Sequence, residues 1–274
     1  MATTAELLAL YDAELRRVIP RNPREGLTYR RDDQLLRVAG DHRGFVETVP
    51  NIAVDGAALD ALIASQRDFF AHRGEAMEWK TRGHDRPKDI PDRLIAAGFV
   101  PEESETVMIA EIAGMARDVP TPRGITFREV EDLNDLERIG ELQSQVWGGD
   151  FAWLVADLWH RKSVNPERLA ILAAEADGEV VSAAWLVLPD NGAIAGLWGG
   201  STLTKWRRRG IYGALVARRA DIAVTRGARY LHVDASADSE PILRRLGFQG
   251  LTTTTPYIWS PNRASDGAAS EPPG

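Results

Sequence analysis

The chain has 274 residues, 44% hydrophobic and 27% charged, with a formal net charge of −7; this describes a globular protein large enough for two ordinary domains. The absence of cysteine excludes disulfides, a thiolate nucleophile and a Cys-ligated metal, and the acidic balance argues against bulk nucleic-acid binding, which needs a basic face. No apolar run approaches the roughly 20 residues that span a bilayer, and the opening residues lack a basic-then-apolar leader, so a cytoplasmic protein without metal or membrane contact is expected.

Residues 6–19 carry apolar side chains at helical spacing, and Pro20 ends the run. Residues 34–38 and 44–49 read as a hairpin around Gly40-Asp41. Residues 57–72 place Leu59, Leu62, Ile63, Phe69 and Phe70 on one helical stripe, with Gly74 as the stop. A strand at 75–80, a helix at 89–97 and a strand at 106–112 follow. Residues 115–124, Met-Ala-Arg-Asp-Val-Pro-Thr-Pro-Arg-Gly, have no periodicity and read as a connecting loop.

Beyond the loop, a second helical stripe runs through Phe151, Leu154, Val155 and Leu158. Residues 193–203 form an apolar run with Trp and Gly, which reads as a strand. It leads into Lys205-Trp206-Arg207-Arg208-Arg209-Gly210-Ile211-Tyr212-Gly213-Ala214-Leu215 and then an amphipathic helix. A Gly-bearing turn between strand and helix points successive backbone N–H groups at one place, and the helix end adds about half a positive charge. Three arginines beside it suit a pyrophosphate, since guanidinium forks meet phosphate oxygens two at a time.

These residues resemble the acyl-CoA-binding segment of the GCN5-related N-acetyltransferases, written Gln/Arg-x-x-Gly-x-Gly/Ala. Arg207 matches its first position and Gly210 its glycine, while Tyr212 stands where a small residue is usual, with Gly213 one step later. Residues 125–130, 133–147 and 170–180 look like the family's first strand, its first helix and the hairpin of its second and third strands, and Leu246-Gly247-Phe248 like its closing Leu-Gly-Phe, so the resemblance covers residues 124–260. It implies an α/β fold: a twisted, mostly antiparallel sheet flanked by helices. It also implies acetyl-CoA as acyl donor and a small-molecule or peptide amine as acceptor. Carried over, Thr202 and Leu203 would meet the pantetheine arm where the fourth strand splays from the fifth. Arg207, Arg208, Arg209, Gly210, Ile211, Tyr212, Gly213 and Ala214 would surround the phosphates.

The first half repeats part of this order. Residues 94–100 (Leu-Ile-Ala-Ala-Gly-Phe-Val) echo residues 243–249 (Leu-Arg-Arg-Leu-Gly-Phe-Gln), and helices closing on Gly74 and Gly227 each precede a strand. The expected organisation is therefore a degenerate copy at 1–113, a linker at 114–123, the acetyltransferase-like domain at 124–260 and a disordered tail at 261–274. Where the second copy has its arginines, the first has Asn51-Ile-Ala-Val-Asp55-Gly56. Asp55 suits a helix cap and would repel a pyrophosphate, so the first copy should not bind CoA.

Acyl transfer to an amine also needs a proton donor for the leaving thiolate. Many members of the family place a Tyr three residues before the Leu of Leu-Gly-Phe; here that position is Leu243. Ser239, Ser236 and Tyr257 are the substitutes, and Tyr212 could lie near the donor. Ser239 could equally cap the helix that Pro241 begins, and Tyr257 could be a strand-edge aromatic. His232 and Asp234 alternate with Leu231 and Val233, so they share a strand face and form a candidate base pair, unless water takes the amine proton. Gly83-His84-Asp85 reads as turn chemistry. Trp147, Trp153 and Trp159 point to an aromatic acceptor wall, Trp153 and Trp159 lying off the helical stripe; core packing would account for them equally. A non-catalytic acyl-CoA-binding sensor or interaction module is the alternative, favoured by Leu243.

Overall fold

A computed structural model describes residues 2–40, 43–190 and 192–261. The expected tail at 261–274 lies outside them from residue 262 on. The chain forms two compact units, and the fold is mixed α/β with helices flanking mixed-orientation sheets. Unit 1 is Met1–Val107 together with the chain from Leu251, and unit 2 is Met108–Gly250. The sequence-based divisions at 113 and 124 do not coincide with these crossings. The chain passes between units inside two strands, where no loop composition marks the change.

Unit 1 begins with α1 (Thr4–Leu15), opened by a capping box in which Thr3 Oγ1 accepts from the Glu6 N–H and the Glu6 carboxylate from the Thr3 N–H. The helix stops before the predicted residue 19. Arg16 leaves it to place its guanidinium on Asp85 (2.7 Å) and the Thr48 carbonyl (2.7 Å), and Arg17 turns to φ 54. Then come β1 (Thr28–Arg31), β2 (Leu35–Ala39), β3 (Gly44–Thr48), α2 (Gly56–Arg73), β4 (Met77–Arg82), α3 (Ile90–Ala96) and β5 (Val100–Pro101). β6 (Glu105–Glu111) carries the chain into unit 2. Asp55 stands at the N-cap of α2 but makes no side-chain capping bond, contrary to the expected role.

Unit 2 continues with β7 (Thr126–Glu129), α4 (Leu133–Trp147), α5 (Ala152–Val164), β8 (Leu169–Ala176), β9 (Glu179–Val187), β10 (Ile194–Thr202), α6 (Ile211–Thr225), β11 (Tyr230–Ala235) and α7 (Glu240–Arg245). β12 (Gln249–Trp259) leaves it again at Leu251. Strand order in unit 1 is β1-β2-β3-β4-β12, with β5 pairing β12; in unit 2 it is β6-β11-β10-β9-β8-β7. In unit 1 β3 and β4 pair in parallel, as do β10 and β11 in unit 2, each through an intervening helix. The helices before and after these parallel strands are followed by left-handed glycines in both units: Gly74 and Gly98, then Gly227 and Gly247.

The β8–β9 hairpin turns on Asp177 (φ 52) and Gly178 (φ 81), the two positive φ values that a type I′ turn needs. Buried Trp79, Phe70, Leu59 and Ile63 centre the core of unit 1, and Tyr257 packs into it. Unit 2 buries aliphatic faces on both sides of its sheet.

An ionic cluster ties β7 and β8 to α4. Arg128 bridges Asp135 and Glu175, and Arg138 bonds the same two carboxylates at 3.2 and 2.9 Å. The hydrogen bond from Arg128 is the leading cause that holds both carboxyls below their ordinary range. Their folded-state pKa values lie below the unfolded ones, so their stabilisation is present above the ordinary carboxylate range and is lost as pH falls through it. Unit 2 is therefore expected to lose melting temperature on acidification, and the loss should be smaller in Arg128→Met, as thermal melts between pH 7 and 3 would show.

Candidate functional site

The site begins with an irregularity in β10. Trp198 pairs with Trp185 and Ser201 with Ala183, so Gly199 and Gly200 together face one residue of β9. This bulge bends the strand. Gly199 adopts φ +62, and a Cβ there would lie 1.9 Å from the Trp185 ring; a Cβ at Gly200 would lie 2.7 Å from the Tyr212 ring. On its other edge β10 pairs with β11 only from Ile194 to Gly196. Beyond that the strands part, leaving the edge of β10 from Leu197 to Thr202 without a β11 partner.

The chain then runs through Leu203 and the arginine loop into α6. Arg208 takes φ 63 and Gly210 φ 83. Gly210 is the N-cap and supplies no side chain to it. After Arg207, whose N–H reaches the Thr204 carbonyl (3.3 Å), the next N–H satisfied by backbone is that of Ala214, at the Gly210 carbonyl (3.1 Å). Among the described residues no backbone carbonyl accepts from the N–H groups of Arg208 to Gly213. They are the orphan donors of a helix start, reinforced by the macrodipole.

A cavity of about 790 Å³ opens onto this junction. Thr202, Arg207, Arg208, Gly210, Ile211, Tyr212 and Gly213, all named from the sequence, line it. Arg245 and Asp238 also line it, neither singled out from the sequence. Arg207 spends its Nε–H on the Thr202 carbonyl (3.1 Å), and among the described residues Arg207, Arg208 and Arg245 make no ion pair. Three unpaired cations face a single carboxylate, and the N–H cradle holds no side chain. These residues fit a diphosphate.

Three expected donor residues do not line the cavity. Leu203 is buried beneath β9 and donates its N–H to the Val181 carbonyl, Ala214 is inside the α6 core, and Arg209 stacks on the Trp206 ring at 4.4 Å. Among the proposed acid–base groups, Ser239 and Ser236 line the cavity. Ser239 sits at the N-cap of α7 without capping it; its Oγ–H points to the Ser236 carbonyl at 3.2 Å. His232 and Asp234 share a face as expected and bond each other at 3.1 Å; His232 is buried and Asp234 half-buried, neither lines the cavity, and the ring of Trp198 meets His232 edge-on. Tyr257 is in the core of unit 1, because β12 pairs with β4 there. Leu243 is fully buried.

On the aromatic side, Trp153 and Trp159 stay partly exposed on α5 and do not line the cavity. Trp147 does, at the end of α4. Its Nε1–H donates to Ser201 Oγ at 2.7 Å, Ser201 donates to Gln143 Oε1 at 2.9 Å, and Gln143 Nε2 returns to the Gly199 carbonyl at 3.2 Å. This chain pins α4 to the bulge. Gln143 and Ser201 are polar residues in an apolar setting, and only their burial reveals them.

The comparisons agree with this geometry. Residues 133–248 match the family model described as "Acetyltransferase (GNAT) family". A GCN5-related N-acetyltransferase from Kribbella flavida is 18% identical, covering 85% of this chain and 89% of its own, with a TM-score of 0.65. A GCN5-related N-acetyltransferase from Sphaerobacter thermophilus is 15% identical, covering 84% and 81%, with a TM-score of 0.62. A tandem GNAT protein from the clavulanic acid biosynthesis pathway is 13% identical, covering 92% and 86%, also at 0.62. No curated protein matches the sequence. At these identities the structures speak for the fold alone, and the family match covers residues 133–248, less than half of the chain, which are similar to the acetyltransferase (GNAT) family.

Proposed function

We propose that the chain is an acyl-CoA-dependent N-acetyltransferase, moving an acetyl group from acetyl-CoA to a primary amine of a small molecule or peptide. One observation carries this reading: the uncapped start of α6, with its unpaired N–H groups and arginines, opens into the same cavity as the parted edges of β10 and β11. The first feature answers a diphosphate. The second answers an amide-bearing arm, which can pair with a strand edge that has lost its neighbour.

The residues divide the work as follows. Arg207, Arg208 and the N–H groups from Arg208 to Gly213 hold the diphosphate. The free edge of β10 orients the acyl end, and its N–H groups supply donors to the developing oxyanion. Trp147 forms the acceptor wall, fixed by Ser201 and Gln143. His232 does not line the cavity, so the amine proton passes to water.

We further read unit 1 as a degenerate copy of the same fold. The shared succession of parallel strands, intervening helix and short second helix supports it, as does the tandem GNAT protein among the structural neighbours. Asp55 stands where unit 2 has its arginines, so unit 1 holds no donor.

The test is calorimetric titration with acetyl-CoA, then release of free thiol, followed with an Ellman-type reagent, over tryptamine, spermidine, glucosamine and a peptide with a free N-terminus. Saturable binding with amine-dependent thiol release is expected. Binding without release for any amine would favour the second reading, a non-catalytic CoA-binding module. Leu243 supports that reading, because it is an inert core residue where many GNAT proteins carry a tyrosine.

A further inference from the structure

One buried charge plays no part in the scheme above. Arg219, on α6 seven residues after Tyr212, is 1% exposed and has no carboxylate partner among the described residues. Its Nε donates to the Leu215 carbonyl (3.1 Å), and Nη1 donates to the carbonyls of Trp185 (3.2 Å) and Trp198 (3.4 Å), the pair that flanks the bulge. Nη2 has no partner. Burial lowers this guanidinium to about 10, which leaves it charged at neutral pH. An isolated buried charge costs several kcal/mol in real proteins, so its presence calls for a return elsewhere.

Tyr212 lies on the same face of α6, two turns earlier, and meets the same bulge. Its ring lies against Gly200 in the parted stretch of β10, and it lines the cavity together with Ser236 and Ser239. Among the described residues lining the cavity, the proton-bearing groups are Tyr212, the hydroxyls of Ser201, Thr202, Ser236 and Ser239, the Trp147 and Trp206 indoles, and the arginines. A departing thiolate has a conjugate-acid pKa near 8.5. Aliphatic hydroxyls, indoles and arginines are far weaker acids than that. A phenol, near 10, is the one group matched to the task.

We propose that Tyr212 is the catalytic acid of the transfer and Arg219 its positioning residue, replacing the tyrosine that Leu243 lacks. This assignment rests on the transferase reading above. As the new C–N bond forms and the C–S bond breaks, the electron pair leaves on sulfur and takes the Tyr212 hydroxyl proton. The amine proton goes to water. The phenolate is held by the Arg219 charge and recovers a proton from water in the cavity that Tyr212 lines. Burial raises the Tyr212 pKa above its ordinary value, and Arg219 and Ser239 oppose that rise, so the phenol stays protonated until it is needed.

The test has a turnover arm and an arm independent of turnover. Tyr212→Phe is expected to keep its melting temperature and its acetyl-CoA affinity, and to lose about 10²–10³-fold in kcat with the best amine of the panel. With the acetyl thioester of an acidic arylthiol, whose thiolate leaves without a proton, the loss should shrink to under about tenfold. Separately, the absorbance titration of wild type minus Tyr212→Phe gives the ionisation midpoint of Tyr212. Arg219→Met should move it upward, and Arg219→Lys, which keeps a charge, should move it less. Equal losses with both thioesters, an undiminished kcat in Tyr212→Phe, or a midpoint that Arg219→Met leaves in place would overturn the assignment. If wild type neither binds acetyl-CoA nor releases thiol, the transferase reading fails and takes the acid with it. If wild type turns over and only these contrasts are missing, the acid assignment alone fails.

Discussion

Gly210→Asp is expected to weaken acetyl-CoA binding by about 10³-fold, the largest functional effect of any single substitution considered for this chain. Two contributions add. A carboxylate set among the orphan N–H groups repels the diphosphate; two charges about 5 Å apart at an effective dielectric of 20 repel by about 3 kcal/mol. Gly210 also sits at φ +83, where a side chain costs about 1 kcal/mol. Steric conflict adds nothing, since the nearest atom to a Cβ at Gly210 is Pro122 Cγ at 3.9 Å. Gly210→Ala therefore isolates the backbone contribution and should cost only about fivefold to tenfold. Calorimetry on both variants separates the effects. An unchanged Kd in Gly210→Asp would place the nucleotide away from this loop.

Gly199→Ala carries the largest expected effect on stability. The added Cβ would stand 1.9 Å from the Trp185 ring, and the backbone is held at φ +62. Trp185 is buried in the unit 2 core, so its ring has little space to yield. Overpacking together with left-handed strain gives about 3 kcal/mol, seen as an earlier urea midpoint for unit 2. Acetyl-CoA affinity should fall with it, because the bulge is what parts β10 from β11. A midpoint equal to that of wild type would mean that the strand runs without the bulge.

The sequence disclosed the features whose causes are local. Arg207-Arg208-Arg209-Gly210 announces an anion-binding helix start, since the turn, the cations and the helix are contiguous. Asp177-Gly178 likewise specifies its hairpin. Tyr257 could not be placed, because alternation along β12 says which residues share a face and nothing about which sheet the strand completes. Trp153 and Trp159 were legible as residues off the apolar stripe, but helix phase does not say which tryptophan reaches the cavity; that falls to Trp147, through its bond to Ser201. Arg219 gave no signal. In Ala217-Arg218-Arg219-Ala220 it looks like a solvated surface residue, and only the carbonyls at the β10 bulge explain why it turns inward.

The two mid-strand crossings have a consequence for how the protein is made. Unit 1 is largely encoded before unit 2, yet Tyr257, which helps to fill its interior, follows the whole of unit 2 in the sequence. During synthesis its apolar face must wait, unsealed, while the whole of unit 2 emerges and folds. Of the two units, the one begun before the other is completed after it, and cutting the chain near residue 250 would leave an otherwise intact unit 2 attached to a unit 1 exposed to proteolysis and aggregation.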